Sequence, residues 1–225
     1  MLFEKTEVFN IVGALRGMRN PMNSWDRCDS GYVPTDNDPL NFREVIGEND
    51  LKLAQKLIEA GSEHRKFMRQ IFVSVDITAP LYWWKEFDTY KVGTVANSTS
   101  TMHKLASTPI TRDCFEMDDF VNLEGNFLVQ DNGSDDTDDV WYELIENLEW
   151  LRCKHNETKD KRYWKELIRL LPESWLQKRT ITMNYENIFN MVHQRKNHKL
   201  LEWSESFINW AKSLPYANEL LFIEK

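Results

Sequence analysis

Cysteine is scarce in this sequence, and long hydrophobic runs are missing. Only three of the 225 residues are cysteines, and the wide spacing of Cys28, Cys114 and Cys153 predicts neither a disulfide framework nor a zinc site. We therefore expect a reduced, cytoplasmic protein without a metal. No apolar run reaches the roughly 18 to 20 residues of a membrane span, and the start MLFEKTEVFN lacks a basic region followed by an apolar stretch, so we expect no membrane segment.

Positive charge is also in deficit. The chain carries 28 Lys and Arg residues against 36 Asp and Glu residues, which gives a formal net charge of -8. This balance argues against nonspecific binding to nucleic acid or to an anionic membrane, but it allows an anionic small molecule in a locally basic pocket. The sequence also lacks a P-loop and a dinucleotide-binding fingerprint.

The sequence does have enough apolar material for a substantial core. Hydrophobic residues make up 41% of the chain, with nine Trp and twelve Phe, and we expect a single domain over residues 1–225. Turn-forming residues at 22–50 predict a long connecting segment. The acidic run DNGSDDTDD at 131–139 predicts a solvated surface loop.

Apolar spacing predicts more helix than strand. Ile71, Val73, Val75 and Ile77 alternate with other residues, which is typical of a strand, and Pro80 then begins a short aromatic helix in LYWWKEFDTY. Helical spacing predicts further helices at about 50–60, 138–153, 158–171, 184–195 and 199–213. We therefore expect an α+β fold that is rich in helix and has a small sheet.

The predicted helix NYENIFNMVHQR carries one stripe with polar ends and an apolar middle. At about 100° per residue, its side chains at Asn184, Ile188, Met191 and Arg195 lie within roughly 60° of one another. One interpretation is that Ile188 and Met191 lie against a planar ring, which the Asn184 amide and the Arg195 guanidinium would grip. The alternative is a core-facing helix that has Asn184 near its cap and Arg195 at its C-terminal end.

Two further segments offer groups that bind anions. Gly93 permits close backbone approach in the predicted loop at 92–103, whose hydroxyl and amide donors are Thr94, Asn97, Ser98, Thr99, Ser100 and Thr101. The segment EHRKFMRQ at 63–70 is the densest basic patch in the chain. Serine-rich and threonine-rich turns and exposed basic turns are both common, so each segment also fits an ordinary surface loop.

Three stretches occur in an order that resembles the flavin-dependent thymidylate synthases, the ThyX family, over nearly the whole chain. They are LKLAQKLIEAGSEH, FVSVDITAPLYWWKEFDTYKVGTVANSTSTMHK and LLPESWLQKRTITMNYENIFNMVHQR. In the family, the second stretch reads as a strand that ends in Ala-Pro, an aromatic helix, and the motif R-H-R-x-x-S-x-N-E-x-S-x-R-Y. The residues that match the family pattern are Ala79, Pro80, Thr182, Asn184, Asn190 and Arg195.

The resemblance implies a homotetramer that binds FAD and deoxyuridine monophosphate (dUMP) where subunits meet. The implied reaction converts dUMP to dTMP with a methylene group from methylenetetrahydrofolate, and NADPH reduces the flavin. The implied catalytic residues are Thr99, Ser100 and Arg195. The implied cofactor contacts are Tyr90, Lys91, Asn97, Asn184 and Asn190. The implied substrate contacts are Glu86, Lys91, Ser100, Arg169 and Arg195.

The chain departs from the family in the second stretch. Thr89, Tyr90 and Lys91 stand where the family has Arg-His-Arg, so one cation survives. Asn97 and Ser100 match the family if Ala96 is a one-residue insertion. On that alignment, the family's Glu, Arg and Tyr are replaced by Ser98, Met102 and His103. The cations in neighbouring stretches that would replace the lost charges are Arg65, Arg69, Lys104 and Arg169.

These departures keep alternative functions open. A second hypothesis is a protein that keeps this fold and its flavin or nucleotide pocket but catalyses another pyrimidine modification, or senses a ligand without turnover. A structural scaffold that retains only the oligomer is a third hypothesis, because a fold does not specify a function. Flavin bound to the purified protein would support the synthase or the altered flavin or nucleotide-binding protein, and it would count against the structural scaffold.

Overall fold

The computed structural model describes residues 1–35, 38–118 and 139–223. Its strands form two separate sheets. In chain order, the strands are β1 (Leu2–Phe9), β2 (Gly31–Thr35), β3 (Asp38–Val45), β4 (Phe72–Pro80), β5 (Val95–Ser98) and β6 (Leu176–Asn184). The four-stranded sheet has the order β1-β4-β6-β5, and β2 pairs with β3 alone. β4 confirms the predicted strand, since Val73, Val75 and Ile77 are fully buried.

Most of the remaining described residues are helical or in turns. The α-helices are α1 (Ile11–Met18), α2 (Glu48–Glu59), α3 (Leu81–Phe87), α4 (Thr101–Lys104), α5 (Asp139–Thr158), α6 (Lys161–Leu170), α7 (Tyr185–Arg195), α8 (Ile208–Lys212) and α9 (Ala217–Leu220). α2, α3, α5, α6 and α7 confirm predicted helices. In the predicted helix at 199–213, a π-helical segment, Glu202–Phe207, precedes α8.

Several elements differ from the sequence-based expectation. The segment at 22–50 is not a simple connection, because it contains the antiparallel pair β2–β3. Tyr32, Leu40 and Phe42 are exposed in this pair, so no buried face left an alternating pattern to find. The predicted loop at 92–103 contains β5 and α4, and β1, α1 and β6 were not predicted. The predicted acidic loop at 131–139 lies outside the described residues except for Asp139, which begins α5.

The chain divides into two compact units. The first comprises Met1–Ile77, Asp88–Asn97 and Thr180–Lys225, and the second comprises Thr78–Phe87 and Ser98–Arg179. The expectation of one domain over 1–225 stays a prediction. Within the ranges 1–35, 38–118 and 139–223, no helix has both the length and the hydropathy that a membrane crossing needs.

Each unit has its own core. In the first unit, Tyr185, Phe189 and Trp203 are fully buried, and the Tyr185 hydroxyl donates to the Pro215 carbonyl at 2.8 Å. Burial raises the pKa of Tyr185 well above its usual value, so this hydroxyl stays protonated. In the second unit, helices α5 and α6 pack around Leu148 and Leu167 with the other buried apolar residues Leu105, Ile110, Phe115 and Leu151.

Candidate functional site

The N-terminus of α7 is closed by a reciprocal pair of asparagines in the first unit. The Asn187 backbone N–H donates to Asn184 Oδ1 at 2.9 Å, and the Asn184 backbone N–H donates to Asn187 Oδ1 at 3.2 Å. This capping box satisfies donors that the first turn of a helix leaves unpaired. The family-implied cofactor contact of Asn184 stays a prediction, and any ligand there would have to share an amide that already caps the helix.

The apolar middle of the α7 stripe belongs to the core. Ile188 and Met191 both have 0% relative exposure, so neither side chain offers a surface on which a planar ring could lie. The structure therefore supports the core-facing alternative and contradicts the ring-packing interpretation. The helical spacing was correct, but spacing alone does not tell whether an apolar stripe faces a ligand or the protein interior.

At the other end of α7, Arg195 lies between two aromatic rings. Its guanidinium carbon is 5.0 Å from the ring centroid of Trp203 and 5.5 Å from that of Tyr90. Arg195 Nε donates to the Tyr90 hydroxyl at 2.9 Å, and this hydroxyl donates to Gln194 Oε1 at 2.9 Å. Tyr90 thus fixes the direction of the guanidinium.

The segment after Tyr90 is attached to the N-terminal end of the same helix. Asn187 Nδ2 donates to the Val92 carbonyl at 2.7 Å, and the Thr94 hydroxyl donates to the Tyr90 carbonyl at 2.7 Å. Gly93 has φ +82°, and a Cβ added there would lie 2.9 Å from Asn184 Nδ2 and from Asn187 Oδ1. A glycine is therefore required where the segment meets the cap.

The basic patch EHRKFMRQ is largely used inside the first unit. Arg65 Nε donates to Glu186 Oε1 at 3.0 Å, and Arg69 is ion-paired with the same carboxylate. Arg65 Nη2 also donates to Asn190 Oδ1 at 3.3 Å. Burial alone would raise the pKa of Glu186, but the hydrogen bonds from Arg69 and Arg65 outweigh it and lower that pKa. Neither arginine is a spare cation that could replace the family's Arg-His-Arg.

The predicted site residues fall in both compact units. Tyr90, Lys91, Asn97, Asn184, Asn190 and Arg195 belong to the first unit, and Glu86, Thr99, Ser100 and Arg169 belong to the second. Lys91 and Asn97 are exposed, and Glu86 is half-buried. Their predicted roles in holding a ligand stay predictions.

In the second unit, three of these residues have local partners. The Ser100 side chain caps α4 by accepting from the His103 backbone N–H at 3.1 Å. The Thr99 N–H donates to the Lys178 carbonyl at 2.9 Å, and its side chain is exposed. Arg169 donates to Glu166 at 2.8 Å on the surface of α6. Arg169 is therefore already paired, although the weakness of an exposed ion pair would let it exchange partners.

A groove of about 860 Å³ in the first unit was not predicted from the sequence. We call it the α2 groove, because α2 forms one wall and the residues after α1 and the turn Lys66–Gln70 form the others. It is lined by apolar side chains such as Leu53 and Phe67 and by the cations Arg19, Arg27, Lys52, Lys56 and Lys66. The dense basic patch at 63–70 was the one signal in the sequence, while Arg27 and the α2 lysines are too scattered along the chain to be noticed.

Comparison with known structures covers nearly the whole chain. One match is the flavin-dependent thymidylate synthase ThyX from Helicobacter pylori complexed with FAD and dUMP, with 16% identity, 99% of this chain and 98% of that chain covered, and a TM-score of 0.65. The chain has a ThyX-like fold. A second Helicobacter pylori ThyX structure with FAD and dUMP matches at 17% identity over 99% and 97% of the two chains, with a TM-score of 0.64.

Comparison of sequences, unlike comparison of structures, gives no match. No protein-family model matches the chain, and no curated protein sequence is significantly similar to it. The structural matches confirm the predicted α+β class, rich in helix and with small sheets. At 16% to 17% identity they establish the fold alone.

Proposed function

We propose that this protein is a divergent flavin-dependent thymidylate synthase, which converts dUMP to dTMP with methylenetetrahydrofolate and reduced FAD. The observation that carries the proposal is the fold, which corresponds to a ThyX chain over 99% of this chain and 98% of that one. The matched ThyX structures contain FAD and dUMP, which are the ligands that we assign to this protein.

The proposal assigns the ligand contacts to residues outside the apolar middle of the α7 stripe. Arg195 is the strongest candidate to hold an anionic group, because Tyr90 and Trp203 fix its guanidinium in one direction. Lys91 and Asn97 are exposed and would contact the cofactor. Thr99 and Ser100 would orient the pyrimidine. Glu86 and Arg169 keep their proposed contacts to the nucleotide.

A flavin ring does not fit against Ile188 and Met191, because both side chains are buried. The donors that we assign to a phosphorylated cofactor are Lys91 and Asn97, which are exposed in the first unit. FAD bound there would supply the hydride that completes the methyl group. The role of the protein would be to position the cofactor and the pyrimidine next to each other within a polar site.

The remaining parts of the proposal follow the family. NADPH would reduce the flavin, and four copies of the chain would assemble into a homotetramer in the cytoplasm. A small-molecule nucleotide, rather than nucleic acid or a membrane, is the expected partner, in agreement with the net charge of -8.

One observation favours a second candidate, a ThyX-like flavin-binding or nucleotide-binding protein with altered or lost catalysis. Arg65 and Arg69, two of the four cations predicted to replace the missing Arg-His-Arg charges, both pair with Glu186. A site with fewer cations holds a doubly charged phosphate less tightly, since each charge-assisted contact is worth about 1.5 to 3 kcal/mol. This alternative includes another pyrimidine modification, ligand sensing and a structural scaffold.

Two measurements separate the candidates. Purified protein with flavin absorption bands is expected for both the synthase and a flavin-binding protein with altered catalysis, whereas a colourless protein that also fails to bind added FAD contradicts both and leaves the structural scaffold. The second measurement is dUMP-dependent oxidation of NADPH with formation of dTMP. Bound flavin without dTMP formation would eliminate the synthase and leave the alternative.

Arg195→Ala tests the proposed anion contact directly. We expect dUMP binding to weaken by about tenfold or more, because one charge-assisted contact is lost, while the oligomeric state stays unchanged. Isothermal titration calorimetry and analytical ultracentrifugation measure these two quantities. Lys212→Ala, which removes an exposed cation from α8, is the control. Unchanged dUMP affinity in Arg195→Ala would remove Arg195 from the site.

A further inference from the structure

The guanidinium of Arg195 forms a cluster with two aromatic rings of the first unit. Its carbon is 5.0 Å from the Trp203 ring centroid and 5.5 Å from the Tyr90 ring centroid, and the two rings are 6.1 Å apart at an interplanar angle of 58°. Trp203 is fully buried, whereas Tyr90 and Arg195 are half-buried. Contacts of this kind strengthen as the cation loses water. The cluster therefore holds the charge at the edge of the core without removing it from solvent.

The hydrogen bonds of this cluster have a defined direction. Arg195 Nε donates to the Tyr90 hydroxyl at 2.9 Å, and the hydroxyl donates its single hydrogen to Gln194 Oε1 at 2.9 Å. A guanidinium has five N–H groups, of which four belong to Nη1 and Nη2. Because Nε donates to Tyr90, an oxyanion that makes two parallel bonds to Arg195 has to meet the Nη1–Nη2 edge. The Tyr90 hydroxyl thus decides which edge of the guanidinium faces a ligand.

The backbone around Tyr90 is fixed by two hydrogen bonds. The Thr94 hydroxyl donates to the Tyr90 carbonyl at 2.7 Å, and Asn187 Nδ2 donates to the Val92 carbonyl at 2.7 Å. The second bond attaches the segment to the first turn of α7, while the Tyr90 hydroxyl contacts Arg195 in the last turn of the same helix. A group that is itself anchored can orient a neighbour precisely. Tyr90 is therefore well placed to hold the guanidinium.

The other ring of the cluster comes from an unusual stretch of helix. Trp203 belongs to the π-helical segment Glu202–Phe207, and its ring packs against that of Phe207 with centroids 5.2 Å apart. π-helical turns are rare and occur frequently at functional sites. Because Trp203 is fully buried, it gives the guanidinium of Arg195 a rigid support.

We propose that Tyr90 is a positioning residue, which holds Arg195 through Nε so that the Nη1–Nη2 edge receives two oxygens of a phosphate group. Gln194 contributes by accepting from the Tyr90 hydroxyl, which turns the lone pairs of that hydroxyl toward Arg195. The inference rests on the proposed function, which assigns an anionic contact to Arg195, and it names the residues on which this contact depends. The role acts through Arg195, and it is distinct from the direct cofactor contact of Tyr90 that the family resemblance implies.

Tyr90→Phe tests this role, because the variant keeps the ring and removes only the hydroxyl. We expect the dissociation constant for dUMP, measured by isothermal titration calorimetry, to rise about fivefold. Tyr216→Phe is the matched control, since Tyr216 is half-buried in the first unit and its hydroxyl accepts from the Ile46 backbone N–H at 2.9 Å. The control should change the dissociation constant by less than about twofold. Unchanged affinity in Tyr90→Phe, or an equal rise in the control, would overturn the inference.

A double variant distinguishes positioning from direct contact with the ligand. If Tyr90 acts only through Arg195, adding Tyr90→Phe to Arg195→Ala should change the dissociation constant for dUMP by less than about twofold. If Tyr90 contacts the ligand itself, the full rise of about fivefold should persist without the arginine. Additive effects of the two substitutions would therefore contradict the inference.

A crystal structure of the unmodified protein with dUMP provides a check that does not depend on any variant. Arg195 Nε should still donate to the Tyr90 hydroxyl, and phosphate oxygens of dUMP should accept from Nη1 and Nη2. Phosphate oxygens bonded to Nε, or a complex in which Tyr90 has moved away from Arg195, would overturn the inference.

The outcomes separate this inference from the proposed function. If Tyr90→Phe weakens dUMP binding through Arg195 but no dTMP forms, the positioning role stands and the synthase proposal fails. If dTMP forms and Arg195→Ala weakens dUMP binding while Tyr90→Phe does not, the synthase proposal stands and the positioning role fails. If dUMP does not bind, inorganic phosphate replaces it as the probe, and an affinity that does not depend on Tyr90 overturns the inference as well.

Discussion

Polar groups around α7 and cations along the α2 groove differ in how they are paired. Glu186 on α7 binds two arginines, and Asn184 and Asn187 satisfy each other and hold the segment after Tyr90. In the groove, Lys56 and Lys66 have no ion-pair partner within the described ranges 1–35, 38–118 and 139–223. The first region therefore maintains the fold, whereas the second has charge available for a ligand.

The basic patch EHRKFMRQ shows this difference within eight residues. Arg65 and Arg69 reach Glu186, while His64 and Lys66 line the α2 groove. The sequence-based interpretation treated the patch as one source of positive potential. The lesson is that adjacent cations in a short turn can serve opposite purposes, because successive side chains of a turn point to different surroundings. The predictions below test whether the first region contributes stability and the second does not.

Glu186→Gln should have the largest effect on stability. The carboxylate side chain is 12% exposed and Arg65 is 9% exposed, so the variant leaves a nearly buried guanidinium without its charge partner. We expect a loss of about 3 kcal/mol in the free energy of unfolding, measured by urea denaturation. Glu166→Gln, which breaks an exposed pair with Arg169, should cost less than about 0.5 kcal/mol. Equal costs in the two variants would show that the ion pairs of Glu186 with Arg65 and Arg69 stabilise the fold no more than an exposed ion pair does.

The pH dependence of the same variant sharpens this prediction. Because the pKa of Glu186 is lowered in the folded protein, its stabilisation is fully present above the ordinary value of 4.5 and is lost as the pH falls through the lowered pKa. The difference in stability between the wild type and Glu186→Gln should therefore be constant near neutral pH and should shrink below about pH 4.5. Urea titrations at a series of pH values measure it. A difference that grows on acidification would contradict the assigned direction.

Gly93→Ala should have a smaller but clear effect in the same region. The new methyl group would meet the two capping asparagines, and the backbone would keep a φ of +82° that disfavours alanine. We expect a loss of about 1 to 2 kcal/mol in the free energy of unfolding. Gly31→Ala is the matched control, because a Cβ there meets nothing within 4 Å. A cost for Gly31→Ala as large as that for Gly93→Ala would mean that the close approach to the cap is not the cause.

Lys56→Gln with Lys66→Gln should have the smallest effect on stability. Both side chains are exposed, and the changes remove no ion pair among the described residues. We expect the free energy of unfolding to stay within about 0.5 kcal/mol of the wild type, measured by urea denaturation. A loss as large as that of Glu186→Gln would remove the contrast between the two regions and would assign these lysines to the fold.

Elements with one strong periodic pattern could be predicted from the sequence. The alternation at Ile71–Ile77 gave β4, and the apolar spacing gave α2 and α7, since each element buries one side. The β2–β3 pair could not be predicted, because Tyr32, Leu40 and Phe42 are exposed and no buried face imposes a pattern. β6 was missed although Ile181 and Met183 are buried and alternate with Thr180 and Thr182, because this alternation is short and the polar residues Gln177, Lys178 and Arg179 precede it.

The candidate site was less predictable than the fold. The order of the motifs indicated a ThyX-like chain, and the structural comparison confirms that fold. The roles of individual residues depend on partners distant in sequence. Arg65 and Glu186 are 121 positions apart, and Tyr90 and Arg195 are 105 apart. No local pattern indicates that such side chains meet.

The sequence by itself determined the class of fold, the positions of the strongly periodic helices and strands, and the overall negative charge. These properties depend on local spacing and on composition. Only the tertiary structure decided which cations are paired and which line a groove, and whether the α7 stripe faces a ligand or the core. The physical reason is that pairing and burial are set by the surroundings of a side chain, and chain segments far apart in sequence supply those surroundings.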